Sequence, residues 1–319
     1  MKDCMTTFTG LQFNAFEPEA DKIRIEDIAH ALSMMVRANG HFPQFFSVGQ
    51  HCIQCAREAL ARNYVPTVAL ACLLHDGSEA YLADVTRPVK KNMTMYLQIE
   101  SQLQTMIYEQ LLGYVPEGEE AELVKNIDDA CLYYEFDHFM NEKLFPVEPV
   151  LMSSPEYEFQ PMADVEKEFL SLFEDLKKRI EKEELTERFG TEEQIRIFRD
   201  AGYRAGVYFA KHFLDTSLEQ NVFLASLQSK MEELKIGVLR MEYFDEEAGK
   251  IVLTVSEDAD CSGLPLLGET VCNYDEGFLA GILSSYFKKD YVVVETDCWA
   301  TGDRVCRFCA RQQSDGSEQ

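Results

Sequence analysis

From Val68 to Leu74 the chain is apolar at every position, and it then turns abruptly to His75-Asp76. A helix apolar on all sides belongs in a core, and polar groups at its end would cost several kcal/mol if left unpaired (roughly, per group). Helical periodicity follows over Glu120 to Phe139, then breaks at Phe145-Pro146-Val147-Glu148-Pro149 and again at Pro155 and Pro161. Val165, Phe169, Leu172, Phe173, Leu176 and Ile180 recur three or four apart, which predicts one more long helix ending near Gly190. Beyond Thr191 the pattern gives helices over Ile195–Leu214 and Val222–Leu234, then strands over Gly237–Tyr243 and Lys250–Val255 around an Asp245–Gly249 turn. A short apolar helix, Phe278–Phe287, precedes two strands within Tyr291–Cys309, folded about Thr301-Gly302-Asp303. The expected fold class is multidomain, with an all-α helical bundle over 1–185 followed by an α+β domain with an antiparallel sheet over 191–312. The polar residues 313–319 read as a disordered tail.

The chemistry of the first half gathers around His51, His75, Asp76 and Asp128. Two imidazoles and two carboxylates form a mixed N/O donor set suited to a divalent transition metal that keeps positions open for water and substrate. Asp128 has Val124, Cys131 and Leu132 one turn away and is expected to be buried, whereas Asp129, near Lys125 and Asn126, reads as solvated. Glu79 reaches the same spot if the helix continues through Gly77. The alternative is that His75 and Asp76 cap a core helix through hydrogen bonds alone.

Charge narrows the partners. Thirty basic residues against fifty-six acidic ones leave a formal charge of −26, which disfavours polymeric nucleic acid and anionic membrane. A small phosphorylated substrate is still allowed, because Arg37, Arg87, Lys90 and Lys91 fall near the candidate site in sequence. The N-terminus lacks a signal-peptide pattern and no run of eighteen apolar residues occurs, so a soluble, cytoplasmic protein is expected. The ten cysteines then read as thiols or metal ligands rather than disulfides.

The segments Ile25–Ser33, Arg37-Ala38-Asn39-Gly40-His41, Ser47–His51 and Leu74–Val85 together resemble the HD-domain metal-dependent phosphohydrolases, within them the 5'-deoxynucleotidase-like branch. The resemblance covers about the first 140 residues. It implies that His51, His75, Asp76 and Asp128 hold one divalent metal, whether manganese, cobalt, iron, zinc or magnesium, with Asp76 and Glu79 as catalytic residues. It implies further that Asp84 contacts the sugar of a nucleotide. Arg37 offers a bidentate fork for phosphate, with an ordinary surface arginine as the alternative. Gly77 departs from the alanine often found after the His-Asp pair.

The second half carries a cysteine pattern. Cys298 and Cys306 flank the glycine turn, Cys272 precedes the short helix, and Glu295 supplies a fourth donor if its strand bends. Three thiolates and a carboxylate would make a closed, structural zinc site; buried free cysteines are the alternative. Val271–Gly281 and Glu295–Phe308 resemble the 4-vinyl reductase-type domain, a small-molecule-sensing module, over roughly Thr191 to Arg311, and the spacing agrees with its zinc ligands. Cys261 and Cys309 are left as spares, and Cys52 and Cys55 as core packing.

Two readings follow. One is a metal-dependent phosphohydrolase acting on a nucleoside monophosphate or similar small phosphomonoester, with a C-terminal module that binds a small hydrophobic effector, supports a homodimer, or both. The other is a non-catalytic nucleotide- or small-molecule-binding regulatory protein. Reductase activity is disfavoured because no glycine-rich dinucleotide fingerprint follows a strand.

Overall fold

The computed structural model describes residues 3–258, 261, 268 and 270–313. It divides into two compact units, Met1–Glu183 and Glu184–Gln319, each with its own hydrophobic core.

The first unit is helical apart from a two-residue antiparallel pair, β1 (Met5–Thr6) and β2 (Gln12–Phe13). Its helices are α1 (Ile25–Met34), α2 (Val48–Ala61), α3 (Pro66–Leu74), α4 (Glu79–Leu82), α5 (Arg87–Lys90), α6 (Thr94–Ile107), α7 (Gly118–Met140) and α8 (Met162–Phe189), the last belonging to this unit up to Glu183. A reciprocal cap starts α2: the Gln50 N–H donates to Ser47 Oγ and the Ser47 N–H to Gln50 Oε1, both at 3.1 Å. Pro66 opens α3, where its missing N–H costs nothing. All of α3 from Val68 to Leu74 is buried, as its uniform apolarity requires. The long helix α7 ends at Asn141, which adopts a left-handed conformation.

Two features differ from expectation. The helix does not run through Gly77: α3 stops at Leu74, residues 75–78 form a turn, and α4 restarts at Glu79. The Gly77 N–H donates to Leu74 O at 2.9 Å, and a Cβ at Gly77 would crowd that oxygen and Ile107. Glycine therefore permits the tight turn that carries His75 and Asp76. The second difference is the proline-bearing stretch, where only a break in helical periodicity is read from the sequence; it is a strap docked on α2. Glu58, buried on α2, accepts from the Met152 and Ser153 N–H groups, from Ser153 Oγ–H and from Arg62 Nε. Gln54 donates to Glu156 O at 2.7 Å and Gln50 to Glu158 O at 3.3 Å. Prolines break helices, but the freed backbone N–H groups still need acceptors, and a carboxylate supplies them.

The second unit comprises α9 (Thr191–Phe213), α10 (Gln220–Glu233), β3 (Val238–Asp245), β4 (Lys250–Ser256), α11 (Asn273–Phe287), β5 (Tyr291–Asp297) and β6 (Cys306–Gln312). The four strands form an antiparallel sheet in the order β3-β4-β6-β5. Alternate residues Ile251, Leu253 and Val255, then Tyr291 and Val293, then Cys306, Phe308 and Ala310, are buried on one face. On α9 and α11 the pairs Gly202/Gly206 and Gly277/Gly281 face each other's backbone: a Cβ on any of the four would overlap a main-chain carbonyl oxygen of the other helix. Helix α11 begins five residues before the predicted Phe278, at Asn273. Of the expected tail only Gln313 is described, and its N–H donates to Asp290 O at 2.8 Å; residues 314–319 lie outside the described part.

Two outcomes follow. Gly206→Ala should destabilise the second unit by about 1–3 kcal/mol through overpacking against Phe278 O, outweighing the roughly 1 kcal/mol helix-propensity gain; an unchanged or raised unfolding midpoint would contradict the close helix approach. Hydrogen bonding outweighs burial and holds the Glu58 carboxyl below its ordinary value, burial alone acting to raise it. Its contribution is therefore present above the unfolded carboxylate range and is lost as pH falls through the folded value. Glu58→Gln should lower stability at pH 7 by about 1–3 kcal/mol, and denaturation at low pH should show the deficit shrinking.

Candidate metal centres

In the first unit, helices α2 and α7 and the turn after α3 bring four donors together. His51 Nε2 lies 3.3 Å from His75 Nε2, 3.2 Å from Asp128 Oδ1 and 3.9 Å from Asp76 Oδ2. His75 Nε2 is 3.3 Å from Asp76 Oδ2 and 3.8 Å from Asp128 Oδ1. The other ring nitrogens are spoken for: His51 Nδ1 meets Glu135 Oε1 at 2.5 Å, and His75 Nδ1 meets Cys72 O at 2.7 Å. Each acceptor takes the Nδ1 proton, and both Nε2 atoms face the same place, where Asp128 Oδ1, Asp76 Oδ2 and Cys55 Sγ also approach. At 3.3 Å the two Nε2 atoms are close enough to share a proton or to ligate one cation. The donor types suit a divalent ion.

The electrostatics agree. Burial and Arg37 act to lower the His51 pKa, but Glu135 and Asp128 outweigh them and lift it to about 9. His75 is likewise raised, Asp76 overcoming burial. Asp76 and Asp128 are held well below the usual carboxylate range by the two imidazoles, against the opposing effect of burial. With no cation present, protons on the two histidines balance Asp76 and Asp128, the charge that a bound divalent ion would supply instead.

Around this point sit groups of two kinds. Arg37, expected as a phosphate fork, is buried, with Nε and Nη2 on Glu135 Oε2 at 3.4 and 3.1 Å and Nη1 3.6 Å from Asp76. It is fixed by its own backbone, because its N–H donates to Phe46 O at 2.8 Å. Much of its fork is therefore committed to Glu135 rather than presented to solvent. Glu79 is buried; Oε1 accepts from Lys90 at 3.2 Å, while Oε2 has no hydrogen-bond partner among the described residues. Burial first, and Asp76 and Asp84 next, push its pKa well up, which favours the neutral acid. Burial also raises the carboxyl of half-buried Asp84, with Arg37 opposing. Asp128 keeps 20% of its side chain exposed, as does Asp129, so it is half-buried rather than buried; Arg87 pairs with both, at 2.5 Å. Cys52 and Cys55 are buried as expected, and Cys55 Sγ also lies 3.5 Å from His51 Nε2.

Glu135 was not foreseen. It lies two turns after Asp128 on α7, wholly buried, and joins His51 to Arg37. The available signal was a glutamate at the seventh position after the candidate ligand, on the same helix face.

In the second unit, Cys261, Cys272, Cys298 and Cys306 are all buried with their sulfurs within 4.8 Å of one another. Cys261 Sγ is 3.0 Å from Cys306 Sγ; Cys272 Sγ is 3.8 Å from both Cys298 and Cys306, which are 4.0 Å apart. Cys261, set aside as a spare, thus belongs to the cluster. The predicted bend occurs as a register shift between Glu295 and Asp297. Glu295 Oε2 accepts the Cys272 N–H at 3.1 Å, and Oε1 is buried without a partner among the described residues. Burial lifts this carboxyl to about 7, with hydrogen bonds involving Cys272 and Cys298 opposing. Cys309 pairs opposite Val252 and Val294, on the other side of the sheet from Cys306, as an offset of three requires. Four close thiols suit a soft-ligand ion such as zinc.

Residues 251–312 match the model of the 4-vinyl reductase domain, so the second unit carries one. An uncharacterized protein of Methanocaldococcus jannaschii is 36% identical over 104 residues, 33% of this chain and 61% of that protein. The uncharacterized protein YfdR of Escherichia coli K12 is 36% identical over 104 residues, 32% of this chain and 55% of its own length. The chain thus spans between half and two thirds of these relatives. Among solved structures, the phenol-responsive sensory domain of the transcription activator PoxR with phenol is 16% identical, covering 41% of this chain and 70% of that one, with a TM-score of 0.34. A vinyl-4-reductase family protein from M. jannaschii is 18% identical, covering 37% and 68%, with a TM-score of 0.29. No helix among the described residues is long and apolar enough to cross a membrane.

Glu135→Gln should leave helix content intact yet weaken divalent-metal binding at the first site about 10–100-fold, the range for a partner that orients a metal-ligating histidine. Calorimetric titration of the full chain checks this, and unchanged affinity would show that Glu135 does not set the His51 tautomer.

Proposed function

We propose that the first unit is a metal-dependent phosphohydrolase acting on a small phosphomonoester, a nucleoside monophosphate being the favoured class. The observation that carries this reading is the pair of Nε2 atoms 3.3 Å apart with both Nδ1 positions occupied, ringed by Asp76 and Asp128. The resemblance to HD-domain phosphohydrolases, carried in part by the same residues, points the same way. His51, His75, Asp76 and Asp128 would hold a divalent ion, which supplies Lewis acidity and a water of lowered pKa.

The chain's own residues supply the rest. Glu79, favoured in its protonated form and near the donors without being one, can donate a proton to the departing alkoxide oxygen. Lys90, hydrogen-bonded to Glu79 and Glu100, keeps that carboxyl in place. Arg37 holds Glu135 and Asp76 in position and contributes positive charge where a phosphate would sit, an electrostatic role. Asp84 is half-buried at the same pocket and can accept from a substrate hydroxyl, as the resemblance implies for a sugar.

The second unit, with its 4-vinyl reductase domain, is proposed to bind a small apolar effector or to support a homodimer, its fold braced by zinc at the thiol cluster.

Purified chain supplied with manganese, cobalt, iron, zinc or magnesium should release phosphate from at least one nucleoside monophosphate. Asp76→Asn should abolish the release, and Glu79→Gln should lower kcat about 10²–10⁴-fold while metal content is retained. Absence of phosphate release across deoxy- and ribonucleoside monophosphates, with the metal bound, would overturn the hydrolase reading in favour of a non-catalytic nucleotide-binding protein.

A further inference from the structure

Ala83 holds a backbone conformation that alanine rarely accepts. It closes α4 with φ 117° and ψ 152°, a region that essentially only glycine occupies. The other non-glycine residues of positive φ, among the described residues, lie between 51° and 59°, in the left-handed helical range, so Ala83 stands apart. A conformation of this kind persists only where the surroundings over-determine it. Three contacts do so here. The Ala83 N–H donates to Glu79 O at 2.9 Å, the Tyr96 O–H, from α6, donates to Ala83 O at 2.6 Å, and the following N–H, that of Asp84, meets Met35 Sδ at 3.2 Å. The first bond closes the single turn of α4 and the thioether is a weak acceptor. The phenol supplies the one short bond that reaches this peptide from another helix.

The strained residue stands between two carboxyls of the first unit's pocket. Glu79 opens α4, and Asp84 follows the Ala83 peptide at its end. Through the turn at Ala83 the chain keeps Asp84 half-buried beside the pocket, where, besides burial, the charges of Arg37, Asp76, Lys90 and His51 act on its carboxyl. Tyr96 meets this arrangement twice. Its hydroxyl holds the peptide before Asp84, and the Lys90 ammonium that bonds Glu79 Oε1 lies 5.7 Å from the centre of its ring.

We propose that Tyr96 is a positioning residue: its hydroxyl clamps the Ala83 peptide in the strained form, and the clamp keeps the Asp84 carboxyl facing the pocket, where it accepts a hydroxyl of the substrate's sugar. This rests on the hydrolase reading and deepens it, because recognition of the sugar then depends on a strained peptide and the phenol that holds it. Removing the hydroxyl lets alanine relax to an ordinary conformation and carries Asp84 away, while the metal and phosphate end of the pocket stays as it is. Glycine at position 83 removes the strain and with it the need for a clamp.

Tyr96→Phe keeps the ring beneath Lys90 and deletes only the hydroxyl. For the nucleoside monophosphate that the full, metal-supplied chain turns over fastest, this variant should raise KM about 3- to 10-fold, the range of one lost hydrogen bond, with kcat within about twofold. The inhibition constant of inorganic phosphate, which reads the metal and phosphate end alone, should not move. Ala83→Gly added to Tyr96→Phe should return KM most of the way to that of the unaltered chain, a recovery that a merely structural tyrosine would not give. Asp84→Asn should raise KM at least as far, and adding Tyr96→Phe to it should raise it no further. An unchanged KM in Tyr96→Phe, an equal rise in the phosphate inhibition constant, additive effects of Tyr96→Phe and Asp84→Asn, or no recovery on adding Ala83→Gly would each overturn the proposal. Should the unaltered chain release no phosphate, the hydrolase reading itself fails. The same ratios are then read from the dissociation constants of deoxy- and ribonucleoside monophosphates by calorimetry, and absence of binding as well overturns the clamp.

Discussion

Everything proposed for the first unit depends on which nitrogen of each buried imidazole carries the proton. Glu135 holds the Nδ1 proton of His51 and the Cys72 carbonyl that of His75, so both Nε2 atoms face one point beside Asp76 and Asp128. A histidine serving only the core would spend both nitrogens on protein partners. Here the Nδ1 atoms are spent on Glu135 and the Cys72 carbonyl, and the two Nε2 atoms converge with Asp76 and Asp128 on one point. The same logic explains why Arg37 is buried: a wholly buried Glu135 needs a counter-charge, and removing either member would leave an unpaired charge at a cost of roughly 3–5 kcal/mol.

The elements that support this point are set by ordinary local rules. The Ser47–Gln50 cap fixes where α2 begins and hence the direction of His51, four residues on. Gly77 permits the turn after α3, so Asp76 and Glu79 approach the same pocket from consecutive short elements rather than one continuous helix. In the second unit the crossing of α9 and α11 is equally local in origin, since two pairs of glycines let the backbones touch.

Much of this was legible in the sequence, for physical reasons that also mark its limits. Helices such as α7 and α8 announce themselves because burial imposes a period of 3.6, and the β3–β4 hairpin because its turn residues interrupt alternation. His51, His75, Asp76 and Asp128 stood out as polar residues within apolar faces. Glu135 did not, because a single glutamate on a helix of mixed polarity carries no sign of the partner it meets across the fold. Arg37 misled for the same reason: its fork suits a phosphate or a carboxylate equally, and only the packing says that Glu135 has it. Cys261 was missed because Cys298 and Cys306 flank a legible glycine turn between two predicted strands, whereas no such pattern surrounds Cys261. The docking of the proline-bearing strap on Glu58 is likewise a long-range pairing between a carboxylate and backbone N–H groups, invisible to spacing.

Manganese(II) prefers the nitrogen and oxygen donors of the first unit over the thiols of the second, which allows the convergence of the two imidazoles to be observed directly. Pulsed electron paramagnetic resonance of the manganese-loaded full chain should show nitrogen couplings from two bound imidazoles, reduced to one in His75→Ala. A spectrum of fully hydrated manganese, with no nitrogen coupling, would contradict the account at its root.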